Sequence, residues 1–110
     1  MSLTVNASGT QTATVNTEHS LATSTTSGTY VFVADTVNLA NGETVELRVY
    51  SKVLSGSTKH LAYYAVYTHA QGSPNKYSVP IPCTHYCEVT LKQTSGTGRS
   101  YDWELLQVDT

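Results

Sequence analysis

The sequence predicts an all-β protein: a single-domain antiparallel β-sandwich or jelly roll of about seven to eight strands. Three observations carry this expectation. Apolar and polar residues alternate over much of the chain, turn-forming residues recur roughly every ten positions, and no useful length keeps a helical period. Only 13% of the residues are charged, about half the usual share, and Thr and Ser fill the difference. Thr is β-branched and suits a pleated, half-buried surface. At 110 residues the chain makes one ordinary domain and can bury a core without staples.

Residues 1–17 are rich in Thr, Ser, Asn and Gly with scattered valines. They read as a flexible N-terminal arm running into a weak first strand, because such a stretch has too little apolar surface to order itself. The sandwich domain is then expected over 18–110. His19–Thr23 is a second short strand with Leu21 inward, and Thr29–Thr36 is a strongly β-prone third. Asn41-Gly42 is the clearest turn signal, since both residues tolerate positive φ. It leads into the stretch that organises the chain, Thr44 to His69. There Val45, Leu47 and Val49 alternate with Glu46, Arg48 and Tyr50, and Ser55-Gly56-Ser57 breaks the run. From His60 onward Leu61, Tyr63, Ala65 and Tyr67 alternate with Ala62, Tyr64 and Val66. This is a β-hairpin, and its second strand, polar on neither face, reads as a central strand covered on both sides. Tyr77–Pro82 is extended, but Pro80 and Pro82 lack the N–H a ladder needs, so it is an edge strand or an ordered loop. Cys87–Thr94 alternates cleanly, Ser95–Gly98 turns the chain, and Arg99–Val108 is the last strand.

Composition excludes several functions. The formal net charge is -2, so no basic field attracts a phosphate backbone and no nucleic-acid partner is expected. No apolar run reaches the roughly 18 residues of a membrane helix, and the start lacks the basic and apolar regions of a signal peptide. The chain is therefore expected to fold in a cytoplasm with its two cysteines reduced. Asp35, Glu43, Glu46, Glu88, Asp102 and Glu104 form no recognisable catalytic pair, and there is no G-x-S-x-G elbow, P-loop or G-x-G-x-x-G. No enzymatic activity and no cofactor are expected.

Two sets of residues stand out. Cys83, His85 and Cys87 would share one face of an extended strand, which is metal-ligand chemistry. A structural zinc takes four ligands, and a fourth from His60 or His69 depends on the fold, so the expectation is no metal, with these three as the candidates to check. A disulfide is disfavoured on an extended strand, where two positions on one face lie about 13 Å apart; a turned loop relaxes that limit. The second set is aromatic. Eight tyrosines and one tryptophan exceed the needs of a small core, and Tyr50, Tyr64, Tyr77 and Tyr86 fall at positions that alternation sends outward. Exposed tyrosines mark interfaces or sugar platforms, while Tyr also simply favours strands.

The order Asn38-Leu39-Ala40-Asn41-Gly42-Glu43-Thr44-Val45-Glu46-Leu47-Arg48-Val49-Tyr50, with Lys52-Val53-Leu54-Ser55-Gly56 following, and the later Val89-Thr90-Leu91-Lys92-Gln93-Thr94-Ser95-Gly96-Thr97-Gly98-Arg99-Ser100-Tyr101-Asp102-Trp103, resembles a group of small virion proteins of tailed bacteriophages. The likeness covers about Ala34 to Leu105. It implies a decoration or cement protein of the head: a compact β-fold, trimeric at symmetry axes of the shell, bound to the major capsid protein. The implied location is the virion surface after synthesis in the host cytoplasm. The rival implication is a tail or fibre module, or a β-sandwich that binds host carbohydrate. In the decoration reading the leading arm adds a strand to a neighbouring subunit.

Overall fold

The computed structural model describes residues 2–109. Among them nine strands form and no helix: β1 (Ser2–Thr12), β2 (His19–Ser24), β3 (Gly28–Asp35), β4 (Thr44–Ser51), β5 (His60–Thr68), β6 (Asn75–Tyr77), β7 (Ile81–Cys83), β8 (Cys87–Gln93) and β9 (Ser100–Asp109). One sheet runs β1-β9-β3-β6, with β7 also on β3; the other runs β2-β8-β4-β5. The antiparallel pairings are nested. β4 pairs β5, β3 pairs β6 and β7, β2 pairs β8, and β1 pairs β9. The chain is thus one long hairpin whose tip is β4–β5, rolled until β9 meets β3 and β8 meets β4. That is the order of a jelly roll, so the all-β sandwich expected from the sequence is the fold.

The alternation explains how the roll closes. Val45, Leu47 and Val49 of β4 and Cys87, Val89 and Leu91 of β8 point inward and are buried, while Glu46, Arg48 and Tyr50 keep the outer face. The opposing sheet contributes Tyr30, Phe32, Ala34, Tyr101 and Leu105 to the same cluster. Burying each of these large side chains contributes about 1.5–3 kcal/mol.

Three elements differ from the sequence expectation. Residues 2–12, expected within a flexible arm running into a weak first strand, form an eleven-residue strand paired with β9 from Ser2↔Asp109 to Thr12↔Ser100, with one register shift between Val5 and Ala7. Backbone pairing orders this stretch where side-chain burial is scarce: Leu3 and Val5 remain exposed. The hairpin strand β5, expected at the centre of a sheet, is an edge strand with β4 as its only sheet neighbour among the described residues. The turn between β4 and β5 spans residues 52–59, longer than its Ser-Gly-Ser signal. The proline-containing segment behaves as its chemistry requires. It lies at an edge of the first sheet as two short pieces, and Ser78 between them pairs with Phe32 through both backbone and side chain (2.8 and 2.9 Å).

A buried carboxylate ties the loops at one end. Glu43, 4% exposed, accepts bonds from the Ala40 N–H (2.9 Å), the Thr97 N–H (3.1 Å) and the Arg99 guanidinium (2.9–3.1 Å). The Arg99 bond, helped by these backbone donors, holds the Glu43 carboxyl down to about 2, from an ordinary 4.5. A lowered folded-state pKa stabilises the fold above the unfolded value and loses that contribution as pH falls through the folded one. Stability is therefore expected to drop between about pH 4.5 and about pH 2. Glu43→Gln should be weaker at neutral pH and flatter across that window. Urea titrations at a series of pH values check this; parallel curves for the two proteins would refute it.

Candidate interaction surfaces

The outer face of the β2-β8-β4-β5 sheet is built in rows set by strand register. Ser20, Thr90, Arg48 and Tyr64 form one row; Thr23, Glu88, Tyr50 and Leu61 form the next; Lys92, Glu46 and Val66 form a third. Each row passes from the charged or hydroxylated middle of the sheet to an apolar or aromatic residue on β5. The middle is cross-braced. Glu88, nearly buried, accepts bonds from Lys59, from Ser20 Oγ (2.5 Å) and from Tyr86 Oη (2.9 Å). Glu18 accepts from Tyr50 Oη (2.6 Å) and Thr90 Oγ1 (2.7 Å), and Glu46 accepts from Arg48 (2.8 Å) and Tyr64 Oη (3.2 Å). Cations lie over three of the rings: Arg48 over Tyr64 (4.7 Å), Lys59 over Tyr50 (5.0 Å) and Lys52 over Tyr86 (4.7 Å).

The electrostatics follow from these contacts. Burial alone would raise the Glu88 carboxyl, but the Lys59, Ser20 and Tyr86 bonds outweigh it and leave the group ionised below its ordinary range. Glu18 shows the same contest, won by Thr90 and Tyr50. Burial, and then the Glu18 carboxylate, raise the Tyr50 phenol. Arg48 Nη1 is buried without an oxygen acceptor; the ring of Tyr64 beside the guanidinium compensates in part. Between Glu18, Ser20, Tyr50, Lys59, Glu88 and Thr90 lies an open depression of about 310 Å³. Its acceptors and donors already satisfy each other, so the region is a stiff polar surface.

Of the four tyrosines expected to face outward, Tyr50, Tyr64 and Tyr86 converge on this face. Tyr50 and Tyr86 are half-buried in the network and Tyr64 is exposed at its border. Tyr77 belongs to the other sheet. It flanks a shallow groove of about 220 Å³ that also takes in Val33, Asp35, Asn75, Asp102, Trp103 and Glu104. The Trp103 ring packs toward the core and over Gly9, leaving Tyr77 as the exposed aromatic of the groove.

The apolar border of the rows continues past the sheet. Along β5, Leu61 is 50% exposed, Tyr64 45% and Val66 44%, and in the adjoining loop Val53 reaches 84% and Leu54 65%. A hollow of about 410 Å³ between Val53, His60, Leu61 and Ala62 separates loop from strand. β5 carries no Asp, Glu, Lys, Arg or Pro over its nine residues. Edge strands in soluble proteins are ordinarily blunted by charge, proline, bulges or a cover; β5 has only the shift opposite Val49/Tyr50. The sequence signal of this exposed edge was the absence of charge in the strand, read there as burial.

Cys83, His85 and Cys87 do not converge as an extended strand would have them. The chain turns between the end of β7 and the start of β8. Both cysteines point into the core (3% and 0% exposed), while His85 is exposed. Among the described residues no group of three or more His, Cys, Asp or Glu is placed to hold a metal ion.

No family model matches the sequence, and no curated protein or solved structure matches the chain.

Proposed function

We propose that the chain is a bacteriophage structural protein: a capsid decoration protein that binds the assembled head at the virion surface and stabilises it, without catalysis. The observation that carries this reading is the uncharged, uncovered β5 edge, joined to the exposed apolar loop at Val53 and Leu54. A strand edge accepts another chain through backbone hydrogen bonds, and the apolar residues beside it add area removed from water. The resemblance of residues 34–105 to small virion proteins of tailed phages agrees with it, and jelly rolls recur in viral capsid and lectin domains, an analogy of fold alone. The partner is the major capsid protein, and the working form is a homo-oligomer, a trimer by preference. Binding to the assembled lattice and not to free shell protein stabilises the lattice by mass action, and repeated copies add avidity.

The test is co-sedimentation of the purified protein with expanded heads. Wild-type protein is expected to pellet with heads and to stay free of unassembled shell protein. The double variant Leu61→Lys/Val66→Lys should lose more than about tenfold in binding while keeping its Tm within a few degrees, because both sites are exposed. Equal binding by the variant, or no binding by the wild type, would sink the reading.

A specific observation favours a second reading, a tail or fibre module that binds host carbohydrate. Tyr77 is 61% exposed beside Asp35, Asp102, Glu104 and Asn75; a ring next to carboxylates and an amide is what a sugar's apolar face and hydroxyls require. Glycan binding by the isolated chain, lost in Tyr77→Ala, would support it over the capsid reading.

A further inference from the structure

The thiol pair has a chemistry that the particle reading does not use and does not depend on. β7 belongs to the first sheet, where Cys83 lies opposite Gly28 of β3. β8 belongs to the second, where Cys87 lies between Ser24 of β2 and Ser51 of β4. The five residues from Cys83 to Cys87 are thus the crossing from one sheet to the other. Both side chains turn into the same buried cluster, four residues apart across the crossing. Two inward thiols at the ends of so short a crossing can reach the roughly 2 Å of a disulfide by side-chain rotation.

We propose that Cys83 and Cys87 are an oxidative modification site that closes to an intrachain disulfide and covalently joins the two sheets at this crossing, with a small peroxide as oxidant. Cys83, on the short edge piece β7, is the attacking sulfur, and Cys87, flanked by β2 and β4, is the resolving one. In keeping with this, the neighbouring Cys87 thiol lowers the Cys83 thiol below its ordinary range, whereas the same neighbour and burial raise Cys87. The Cys83 thiolate attacks one oxygen of hydrogen peroxide; the O–O bond breaks, the thiol proton goes with the departing hydroxide as water, and Cys83 becomes a sulfenic acid. The Cys87 sulfur then attacks Cys83 Sγ; the S–O bond breaks and the leaving hydroxide takes the Cys87 proton as a second water. Two thiols and one peroxide give one disulfide and two waters, with both electrons ending on the peroxide oxygens. Access comes through β7, three residues long at a sheet edge and therefore among the segments that open at least cost. Peroxide is small enough to use such an opening, unlike a bulky disulfide oxidant.

The experiment treats the reduced 110-residue chain with hydrogen peroxide and follows three readouts. Intact mass should fall by two hydrogens with the protein still monomeric in non-reducing gels, thiol titration in denaturant should go from two to none, and Tm should rise by roughly 5–10 °C, reversibly with dithiothreitol. Single variants establish the order of events. Cys87→Ser should accumulate a dimedone-reactive sulfenic acid on Cys83, and Cys83→Ser should leave Cys87 largely unmodified. Two thiols surviving peroxide, addition of oxygen without loss of hydrogen, or a cross-linked dimer would overturn the proposal. Faster dimedone labelling of Cys87 in Cys83→Ser than of Cys83 in Cys87→Ser would overturn the assigned order.

Discussion

Replacing Gln93 with Leu is expected to lower stability by about 3–5 kcal/mol, a larger loss than its place at the end of a strand suggests. Gln93 is fully buried at the last inward position of β8. Its amide NH₂ donates to the carbonyls of Ser95 (2.8 Å) and Thr97 (2.6 Å), and its oxygen accepts from the Arg99 N–H (3.0 Å) and the Tyr101 hydroxyl (2.8 Å). One side chain therefore stands in for the ladder that the β8–β9 turn lacks. Leu fills a similar volume, so the cavity left behind is small; what it cannot do is satisfy four polar groups, each of which costs about 1–3 kcal/mol when stranded away from water. Those at the loop regain some hydration, which sets the total below the sum. The Tyr101 hydroxyl has no such relief, since its side chain is fully buried; burial first, and then the Glu43 charge, already push that phenol up to about 12. Thermal and urea unfolding measure the effect, with Tm expected to fall by roughly 10–25 °C. A loss under about 1 kcal/mol would mean that the turn is held by something else.

Why the turn was visible in the sequence and its clamp was not is a matter of range. Ser95-Gly96-Thr97-Gly98 announces a turn through backbone preferences that belong to four adjacent residues, and Gly96 does take φ 79°. Asn41-Gly42 behaves alike, with φ 87° at Gly42. Glu43, in contrast, looked like one acid among several. Its role comes from Arg99 and Thr97, more than fifty positions away, and no local pattern carries that.

β5 shows a different limit. Hydropathy along a strand reports how dry each face is, and both faces of β5 are dry by composition. It does not report whether a neighbouring strand exists. An apolar edge and a buried centre have the same pattern until topology separates them, and here the nested hairpin places β5 at the border. The cysteines failed in the opposite direction. An extended backbone was the simplest reading of Cys83-Thr84-His85-Tyr86-Cys87, because no glycine marks a turn there; the change of sheets imposes one. For the tyrosines, alternation sufficed to send Tyr50 and Tyr64 to the outer face, but that they and Tyr86, in the turn before β8, share one side with Glu18, Glu46 and Glu88 as acceptors follows only from the fold.

The leading segment gives the second large effect. Gly98→Ala is expected to cost about 3 kcal/mol, whereas Gly56→Ala should be near neutral. A Cβ on Gly98 would fall 2.1 Å from the carbonyl oxygen of Ala13, while at Gly56 nothing lies within 4 Å. The obstacle is backbone, which cannot swing aside as the end of a side chain can, and overpacking of this kind costs about 1–3 kcal/mol or more. Relief would require Ala13 to move, yet Ala13 is buried and its N–H bonds the Arg99 carbonyl at 2.8 Å. A few residues on, the Asn16 N–H bonds the Gln93 carbonyl at 2.7 Å. The prediction thus discriminates between two views of residues 1–17. If they were a loose arm, Ala13 would yield and the substitution would scarcely register in Tm. If β1 is part of the fold, as its pairing with β9 along the whole strand requires, the variant must break the Ala13–Arg99 pairing. Amide exchange would then accelerate along β1 before it does along β3 or β8.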